Sequence, residues 1–412
     1  MLMVGTSVVG VLPGLNPRAM FASMSAPSPL AARATTPPSP ATSRVASIDL
    51  IRGAVMVLMA IDHVRVYAGV PAGGPWPGVF FTRWVTNFVA PAFLFFAGTS
   101  AFFYGRKHSD LSRFLLVRGI WLVLLELTVI RICWTFNFDF RHYMMAGVIW
   151  VIGWCMILMA ALVKLQPRTV GIIGAAIIAL HNAVMPWFVN HVPLGPFANI
   201  LYGAGPAAGP LLVLYSIIPW IGVMAAGFWF GTVLTMEPSR RNRICLRLGL
   251  GATALFLILR ATNLYGDPRP WTALQLPRLL AFLNTTKYPA SLSFLLMTLG
   301  PTLALIPLLE RARGRVAQWL TVFGRVPFFY YLLHIPLIHA LALVVSLIRT
   351  GSVNPWLFTN HPMAPGELPE GYMWSLGLLY VVWAIAVLLL YIPSRWYAEL
   401  KARRADWWLK YL

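Results

Sequence analysis

The chain contains about ten apolar runs of roughly twenty residues, and this pattern limits its fold more than any other feature. Each run is long enough to cross the ~30 Å hydrocarbon core of a bilayer as an α-helix. Backbone groups in that core must satisfy their own hydrogen bonds, so a run is either a helix or a strand of a closed barrel. The runs are continuous and rich in Leu, Ile and Val, which excludes the alternating ~10-residue strands of a barrel. The predicted spans are residues 47–66, 84–104, 114–135, 144–165, 169–187, 211–235, 244–263, 288–309, 317–347 and 374–393.

The composition points to the same class of protein. Hydrophobic residues make up 59% of the chain and charged residues only 11%, too few charges for a soluble chain of this length to cover its apolar surface. We therefore predict an all-α, polytopic transmembrane helical bundle of about ten spans. The ninth run contains Pro327 and Pro336, so we expect it to be kinked or split.

The basic residues predict how the bundle is oriented. The chain has a formal net charge of +20, and its Lys and Arg residues fall mainly in alternate connections and in the C-terminal tail. The connection at 189–209 contains no Lys, Arg, Asp or Glu. The positive-inside rule therefore predicts that both termini are cytoplasmic and that the number of spans is even. Membrane topology and contacts with lipid headgroups account for the positive net charge, which in a soluble protein would suggest nucleic-acid binding. We therefore expect no nucleic-acid partner.

The N-terminal segment differs from the rest of the chain. Residues 25–43 are rich in Pro, Ala, Ser and Thr and have almost no large apolar side chains. Such a composition cannot form a packed core, so we predict that residues 1–43 are disordered. The membrane domain is expected to cover residues 44–412.

Ionisable side chains concentrate on the first predicted span, where buried charge is costly and suggests function. Asp49 and Arg52 are three residues apart and can pair, most simply as an anchor for the helix end, and Asp62 and Arg65 have the same spacing. His63 lies about 21 Å of helical rise beyond Asp49, in the outer half of the bilayer if the N-terminus is cytoplasmic. Its imidazole could take a proton from an attacking hydroxyl or amine. A histidine that hydrogen-bonds neighbouring helices for packing explains the position equally well.

Other polar residues are expected near the depth of His63. Arg83 and Asn87 share a face of the second span, where they could orient a substrate or join two helices. Lys287 precedes the eighth span and would lie on the outer side of the membrane. Basic residues are otherwise expected mainly on the cytoplasmic side, so Lys287 is a candidate site residue. His334 and His339 are five residues apart, which does not suit a metal pair on a helix. We expect one of them to line a polar cavity, with His339 at a depth similar to that of His63.

Several well-known motifs are absent from the sequence. It has no P-loop, no dinucleotide fingerprint, no HExxH and no GxSxG, which argues against an ATP-driven pump, a redox enzyme, a zincin and the usual serine hydrolases. Cys133, Cys155 and Cys245 are isolated in apolar segments and show neither metal spacing nor a disulfide framework. We therefore predict no metal site.

A series of motifs follows one another along the chain. They are SIDLIRG at 47–53, MAIDH at 59–63, FTRWVTNFVAPAFLFFAG at 81–98, IPWIG at 218–222, YGDP at 265–268, TKYPASL at 286–292, GRVPFFYY at 324–331 and WWLKYL at 407–412. This series resembles the bacterial branch of the heparan-alpha-glucosaminide N-acetyltransferase catalytic-domain family, which belongs to a wider group of transmembrane acyltransferases that includes the acyltransferase type 3 proteins. The resemblance covers about residues 44 to 412, and its order of motifs is specific for the family but not for a substrate.

The resemblance implies a catalytic role for His63. Members of the group carry a histidine late in their first conserved span, ten residues after an Arg-Gly pair, and His63 stands ten residues after Gly53. The family also implies that acetyl-CoA binds from the cytoplasm and that an acceptor is acetylated on the far side of the membrane. The lysosomal enzymes that act on heparan fragments carry their essential histidine in the loop after that span. Here residues 67–82 contain no histidine, so heparan specificity does not carry over.

The resulting hypothesis is a membrane-bound acyltransferase, in the bacterial cytoplasmic (inner) membrane, that uses acyl-CoA and an envelope glycan or small-molecule acceptor. His63 would act as general base or acyl carrier, with its pKa tuned by Asp62 or by a carboxylate from another span. A multi-span permease for a small metabolite is the alternative, and a homo-oligomer stays open. The expected substrate-binding residues are Arg65, Arg83, Asn87, Lys287 and His339. The expected acetyl-CoA-binding residues are Arg106, Arg113, Arg240, Arg241, Arg243 and Arg325.

Overall fold

The computed structural model describes residues 46–362, 368–404 and 406–410, so the segment 1–43 that we predict to be disordered lies outside the described residues. The described chain is a bundle of α-helices with three very short strands. The α-helices are α1 Ala46–Tyr67, α2 Pro77–Trp84, α3 Val89–Gly105, α4 Leu111–Leu125, α5 Arg131–Thr135, α6 Val148–Leu162, α7 Pro167–His191, α8 Ala198–Tyr202, α9 Ile217–Leu234, α10 Pro238–Thr262, α11 Arg278–Leu283, α12 Leu292–Leu309, α13 Arg315–Arg325, α14 Pro327–Thr350 and α15 Leu376–Arg403. The strands are β1 Met144–Ala146, β2 Gly205–Pro206 and β3 Leu211–Val213.

Seven helices of the described chain are long and apolar enough to cross a membrane. They are Pro77–Gly105, Pro167–His191, Ile217–Leu234, Pro238–Thr262, Leu292–Leu309, Pro327–Thr350 and Leu376–Arg403. The prediction of an all-α polytopic bundle is therefore confirmed.

The other three predicted spans are also helical, but each has a feature that separates it from these seven. Helix α1 carries two acidic and two basic residues near its ends, at Asp49, Arg52, Asp62 and Arg65. The third span is continuous from α4 to α5, joined by a π-helical turn at Glu126–Ile130. Helix α6 is apolar but has only 15 residues.

Three predicted spans begin at least four residues too early. Residues 144–146 and 211–213 were expected to be helical, but they form β1 and β3, which pair in parallel, with β2 antiparallel to β3. Short apolar strands cannot be separated from a helix end by periodicity alone. The eighth span begins at Leu292, not at residue 288, because Ser291 caps the helix by accepting a hydrogen bond from the Phe294 amide at 3.1 Å.

The ninth predicted span, 317–347, is wrong as a single element. Helix α13 ends at Arg325, Val326 has the extended φ of −133°, and Pro327 begins α14. The residue before a proline avoids helical geometry, and proline is favoured at the first helical position, so both preferences break the run here. Helix α13 has only 11 residues and exposes Arg315, Gln318 and Arg325, as an amphipathic helix does.

Helix α1 lies at the centre of the bundle and contacts α3, α12, α13, α14 and α15. Its backbone meets that of α13 without intervening side chains: a Cβ atom on Gly53 would overlap the Leu320 carbonyl, and one on Gly324 would overlap the Asp49 carbonyl. Helix α3 approaches α9 in the same way at Gly98 and Gly227. Small residues that allow such contacts are typical of helix packing in membranes.

Candidate active site

Two imidazoles from α1 and α14 form the centre of the candidate site. His63 Nδ1 lies 2.5 Å from His334 Nε2, and the two rings stack with a centroid distance of 4.7 Å. His334 is fully buried, and its Nδ1 lies 2.6 Å from the carbonyl oxygen of Tyr331 in the preceding turn of α14. Trp134 closes another side of His63, with its ring edge-on at 4.7 Å.

The carbonyl of Tyr331 determines where the protons of this pair lie. A carbonyl only accepts hydrogen bonds, so His334 Nδ1 must donate, and the neutral ring then leaves Nε2 without a proton. His334 Nε2 therefore accepts, and His63 Nδ1 is the donor of the 2.5 Å bond. The neutral His63 ring consequently keeps a lone pair on Nε2, which binds no other group in the described part of the chain.

An ionic cluster surrounds Asp62, next to His63 in sequence. Its Oδ1 lies 2.8 Å from Arg65 Nε and 3.5 Å from Arg83 Nε, and all three side chains are less than a fifth exposed. Arg83 also donates to Thr86 Oγ1 at 2.7 Å and to Asn87 Oδ1 at 3.2 Å. The predicted residues Asp62, Arg65, Arg83 and Asn87 are thus brought together, although the direct partner of His63 is His334 and not Asp62.

Lys287 extends this cluster from the connection between α11 and α12. Arg83 Nη2 donates to the Tyr288 hydroxyl at 3.3 Å, and Lys287 Nζ lies 5.3 Å from the Tyr288 ring centroid and 5.8 Å from that of Tyr215. Lys287 also interacts electrostatically with Asp62 and His63. Lys287, which the sequence analysis singled out only as a candidate site residue, thus lies next to the ionic cluster through Tyr288 and Arg83.

His339 occupies a different environment from the one expected. It stacks on Phe136 at 3.8 Å and on Tyr67 at 4.7 Å, and its Nδ1 lies 3.3 Å from the carbonyl of Cys133. His334, one of the two histidines considered for a polar cavity, is instead the one that contacts His63. The position of a residue along a helix predicts its depth in the membrane but not which side chain it contacts. The sequence could therefore not show which of His334 and His339 lies next to His63.

A cavity of about 280 Å³ lies between α1, α3, α4, α6 and α14, mostly lined by apolar side chains. Met56, Ile149 and Tyr331 are among its lining residues, and the main-chain carbonyl of Tyr331 also accepts from His334, although neither His63 nor His334 lines the cavity. Arg52 and Arg118 bring positive charge to its wall. Arg52 also donates to the Phe96 carbonyl at 2.7 Å, so it is held in place by α3.

The arginines expected to bind acetyl-CoA are not in the wall of this cavity. Arg106 is exposed just after α3 and Arg113 in the first turn of α4, near the lining residues Tyr104 and Phe114, and Arg325 is exposed just before Pro327. Arg240, Arg241 and Arg243 lie on α10, whose main contacts are with α12. Arg241 is paired with Glu310 at 2.9 Å. Arg118 was not predicted to line a cavity, because its charge was interpreted only as a marker of the cytoplasmic side of the membrane.

Two other buried charges have structural partners. Glu126 accepts a hydrogen bond at 3.1 Å from the Ile149 amide in the first turn of α6, where an acidic group complements the helix dipole. Arg131 binds the carbonyls of Tyr143 and Asn137. Within the described ranges, no group of three or more His, Cys, Asp or Glu side chains is arranged to hold a metal ion.

The fold and this centre define the class of protein: an integral membrane protein with a buried imidazole pair between its helices. The family model "Heparan-alpha-glucosaminide N-acetyltransferase, catalytic" matches residues 44–261, more than half of the chain. The protein therefore belongs to this family, and its class is that of the membrane acetyltransferases. No curated protein matches the chain.

Proposed function

We propose that the protein transfers an acetyl group from cytoplasmic acetyl-CoA to an amine or hydroxyl of an acceptor on the opposite side of a bacterial cytoplasmic membrane. The acceptor would be an envelope glycan, a glycolipid or a small amine. The observation that carries the proposal is the His63–His334 hydrogen bond, because it leaves an unprotonated Nε2 on His63, about two helical turns along α1 from Met56 in the cavity wall.

In the proposed reaction His63 is the general base. Its Nε2 takes the proton of the acceptor N–H or O–H while the acceptor atom forms a bond to the thioester carbonyl carbon. The C–S bond then breaks, and the thiolate of coenzyme A takes the proton back from His63. His334 accepts from His63 Nδ1 throughout, so it holds the ring orientation and stabilises the positive charge that forms on His63.

The donor would enter the 280 Å³ cavity from the cytoplasmic side. Its apolar wall suits the acetyl group and the linear arm that carries it, while Arg52 and Arg118 supply cationic donors along the path. Arg106 and Arg113, which are exposed next to the lining residues Tyr104 and Phe114, and Arg325, which is exposed at the end of α13, would bind the phosphate groups. The arginines of α10, a helix that packs on α12, contribute to this proposal only through the general positive charge of that face.

The ionic cluster would receive the acceptor. Asp62 neutralises part of the charge of Arg65 and Arg83, and this holds both guanidinium groups near His63. Asn87 keeps Arg83 in place through its Oδ1. His339 is packed between aromatic rings, so in this proposal it supports the outer end of α1 through Tyr67.

The test is an assay of detergent-purified protein with acetyl-labelled acetyl-CoA and amino-sugar acceptors. We expect label to move to the acceptor, or acetyl-CoA to be hydrolysed, in the wild type and in His191→Ala, an exposed histidine on α7. His63→Ala should abolish both. Turnover that does not depend on His63, or no binding of acetyl-CoA, would contradict the proposal. Uptake of a metabolite into proteoliposomes without coenzyme A would favour a permease.

A further inference from the structure

We propose that the acceptor is recognised through an anionic group, a phosphate or a carboxylate, bound by Lys287 and Arg83 next to His63. That the ligand is the acceptor of the reaction rests on the proposed function, whereas the anion site itself follows from the charge and geometry of the residues around Lys287.

The first observation is an imbalance of buried charge. Asp62, Arg65, Arg83 and Lys287 form one cluster with three basic groups and one carboxylate. Among the described residues, Asp62 forms ion pairs through Oδ1 with Arg65 and Arg83 and none with Lys287. Unbalanced charge away from water is costly, and an anion bound between Lys287 and Arg83 would remove that cost.

The second observation is a cavity that adjoins the ionic cluster at Lys287 and Tyr288, while Asp62, Arg83 and His63 are not among its lining residues. It has a volume of about 210 Å³ and is lined on one side by Thr286, Lys287 and Tyr288 and on another by Arg269. Arg269 is exposed, whereas Lys287 is mostly covered, so the two cations mark the opening and the inner part of the cavity. This volume is enough for a sugar-sized group that carries a charge.

The carboxylate of Asp267, which also lines this cavity, is already neutralised. Its Oδ1 accepts from Thr286 Oγ1 at 2.8 Å, and its Oδ2 accepts from the Thr286 amide at 3.0 Å and from Ser291 Oγ at 3.1 Å. Arg260 Nη1 lies 3.7 Å from the same oxygen. Asp267 therefore holds the loop that presents Lys287, and the charge left facing the cavity is positive.

The environment of Lys287 agrees with an anionic ligand. Burial, followed by the nearby Arg83 guanidinium, lowers the pKa of the Lys287 ammonium from its ordinary value. The rings of Tyr215 and Tyr288 face this ammonium, and such cation–π contacts replace only part of the lost hydration. Arg83 contacts both Tyr288, which follows Lys287, and Asp62, which precedes His63, so an anion bound at Lys287 would hold the rest of the acceptor near this end of α1.

The experiment measures binding without acetyl-CoA, so it does not depend on turnover. Detergent-purified protein is titrated with glucose 6-phosphate, glucuronate and glucose by calorimetry, at constant ionic strength. Lys287→Met removes the charge and keeps most of the side-chain volume, and Lys287→Arg keeps the charge. Lys107→Met, an exposed lysine at the opposite end of the bundle, is the matched control.

We expect at least one of the two anionic sugars to bind the wild type about tenfold or more tighter than glucose, as one charge-assisted hydrogen bond would give. Lys287→Met should lose this difference, while Lys287→Arg and Lys107→Met keep it. A preference for only one of the anions would identify the group as phosphate or carboxylate. Equal binding of anionic and neutral sugars, or an unchanged preference in a folded Lys287→Met, would overturn the inference. His63-dependent acetyl transfer would still stand in that case.

Discussion

Replacing His334 by alanine tests the proton assignment of the histidine pair. The substitution removes the group that accepts the proton of His63 Nδ1 at 2.5 Å. His63 is then free to carry its proton on Nε2 instead, and that tautomer cannot act as a base toward an acceptor. His334 does not line the donor cavity, so the binding of acetyl-CoA should stay nearly unchanged.

The size of the effect follows from the hydrogen bond that is lost. A buried donor without a partner costs about 1–3 kcal/mol, which is the penalty for keeping the proton on His63 Nδ1 in the variant. At about 1.4 kcal/mol for each factor of ten, the active tautomer should fall about five- to one-hundred-and-fifty-fold. The value of kcat should fall by the same factor, while KM for acetyl-CoA should change little.

The assay is steady-state release of coenzyme A over a range of acetyl-CoA concentrations. Tyr330→Phe is the control, because the ring of Tyr330 stacks on His334 at 5.6 Å while its buried hydroxyl has no partner among the described residues. This variant keeps the ring and should keep kcat. A wild-type kcat in a folded His334→Ala, or an effect confined to KM, would refute the proton assignment.

Three further predictions concern the packing, the donor cavity and the anion site. Gly98→Leu should lower the free energy of unfolding by about 1–3 kcal/mol or more, because its Cβ overlaps the backbone of α9, whereas Gly251→Leu, with open space around it, should leave thermal melting unchanged. Arg118→Ala should raise KM for acetyl-CoA while Arg243→Ala does not, and equal effects would exclude a cavity role for Arg118. Glucuronate binding should weaken as the pH rises toward the pKa of Lys287, which is lowered from 10.5, because the ammonium then loses its charge. Lys287→Arg should shift this loss of binding to higher pH. Wild-type binding that does not change with pH in this range would contradict the cationic role of Lys287.

The apolar runs were sufficient to predict the helices, because hydrophobic length directly reflects the thickness of a bilayer. The same signal could not find β1 and β3, since Met144–Ala146 and Leu211–Val213 are as apolar as the helices that follow them. It also joined α13 to α14, although Pro327 marked the position where the run breaks. Apolar content alone does not tell a span from an amphipathic helix beside it.

The site was predicted in part. His63, Asp62 and Arg83 were found because ionisable groups within apolar runs are rare and stand out in one sequence. The i,i+3 spacing also predicted the pair of Asp62 and Arg65. Partners on other helices were not found, because such contacts depend on helix rotation and crossing, which the sequence does not give. His334 therefore received the same weight as His339, and the contact of Asp62 with Arg83 was missed.

The position of His63 near the far end of α1 has an electrical consequence. In the proposed reaction a proton leaves an acceptor on one side of the membrane and departs with the thiol of coenzyme A on the other. Each turnover then moves one positive charge inward through part of the membrane field, where a full crossing is worth about 2.3 kcal/mol per 100 mV. The membrane voltage of an energised cell, negative inside, would favour acetylation, and vesicles without a voltage would lack that contribution.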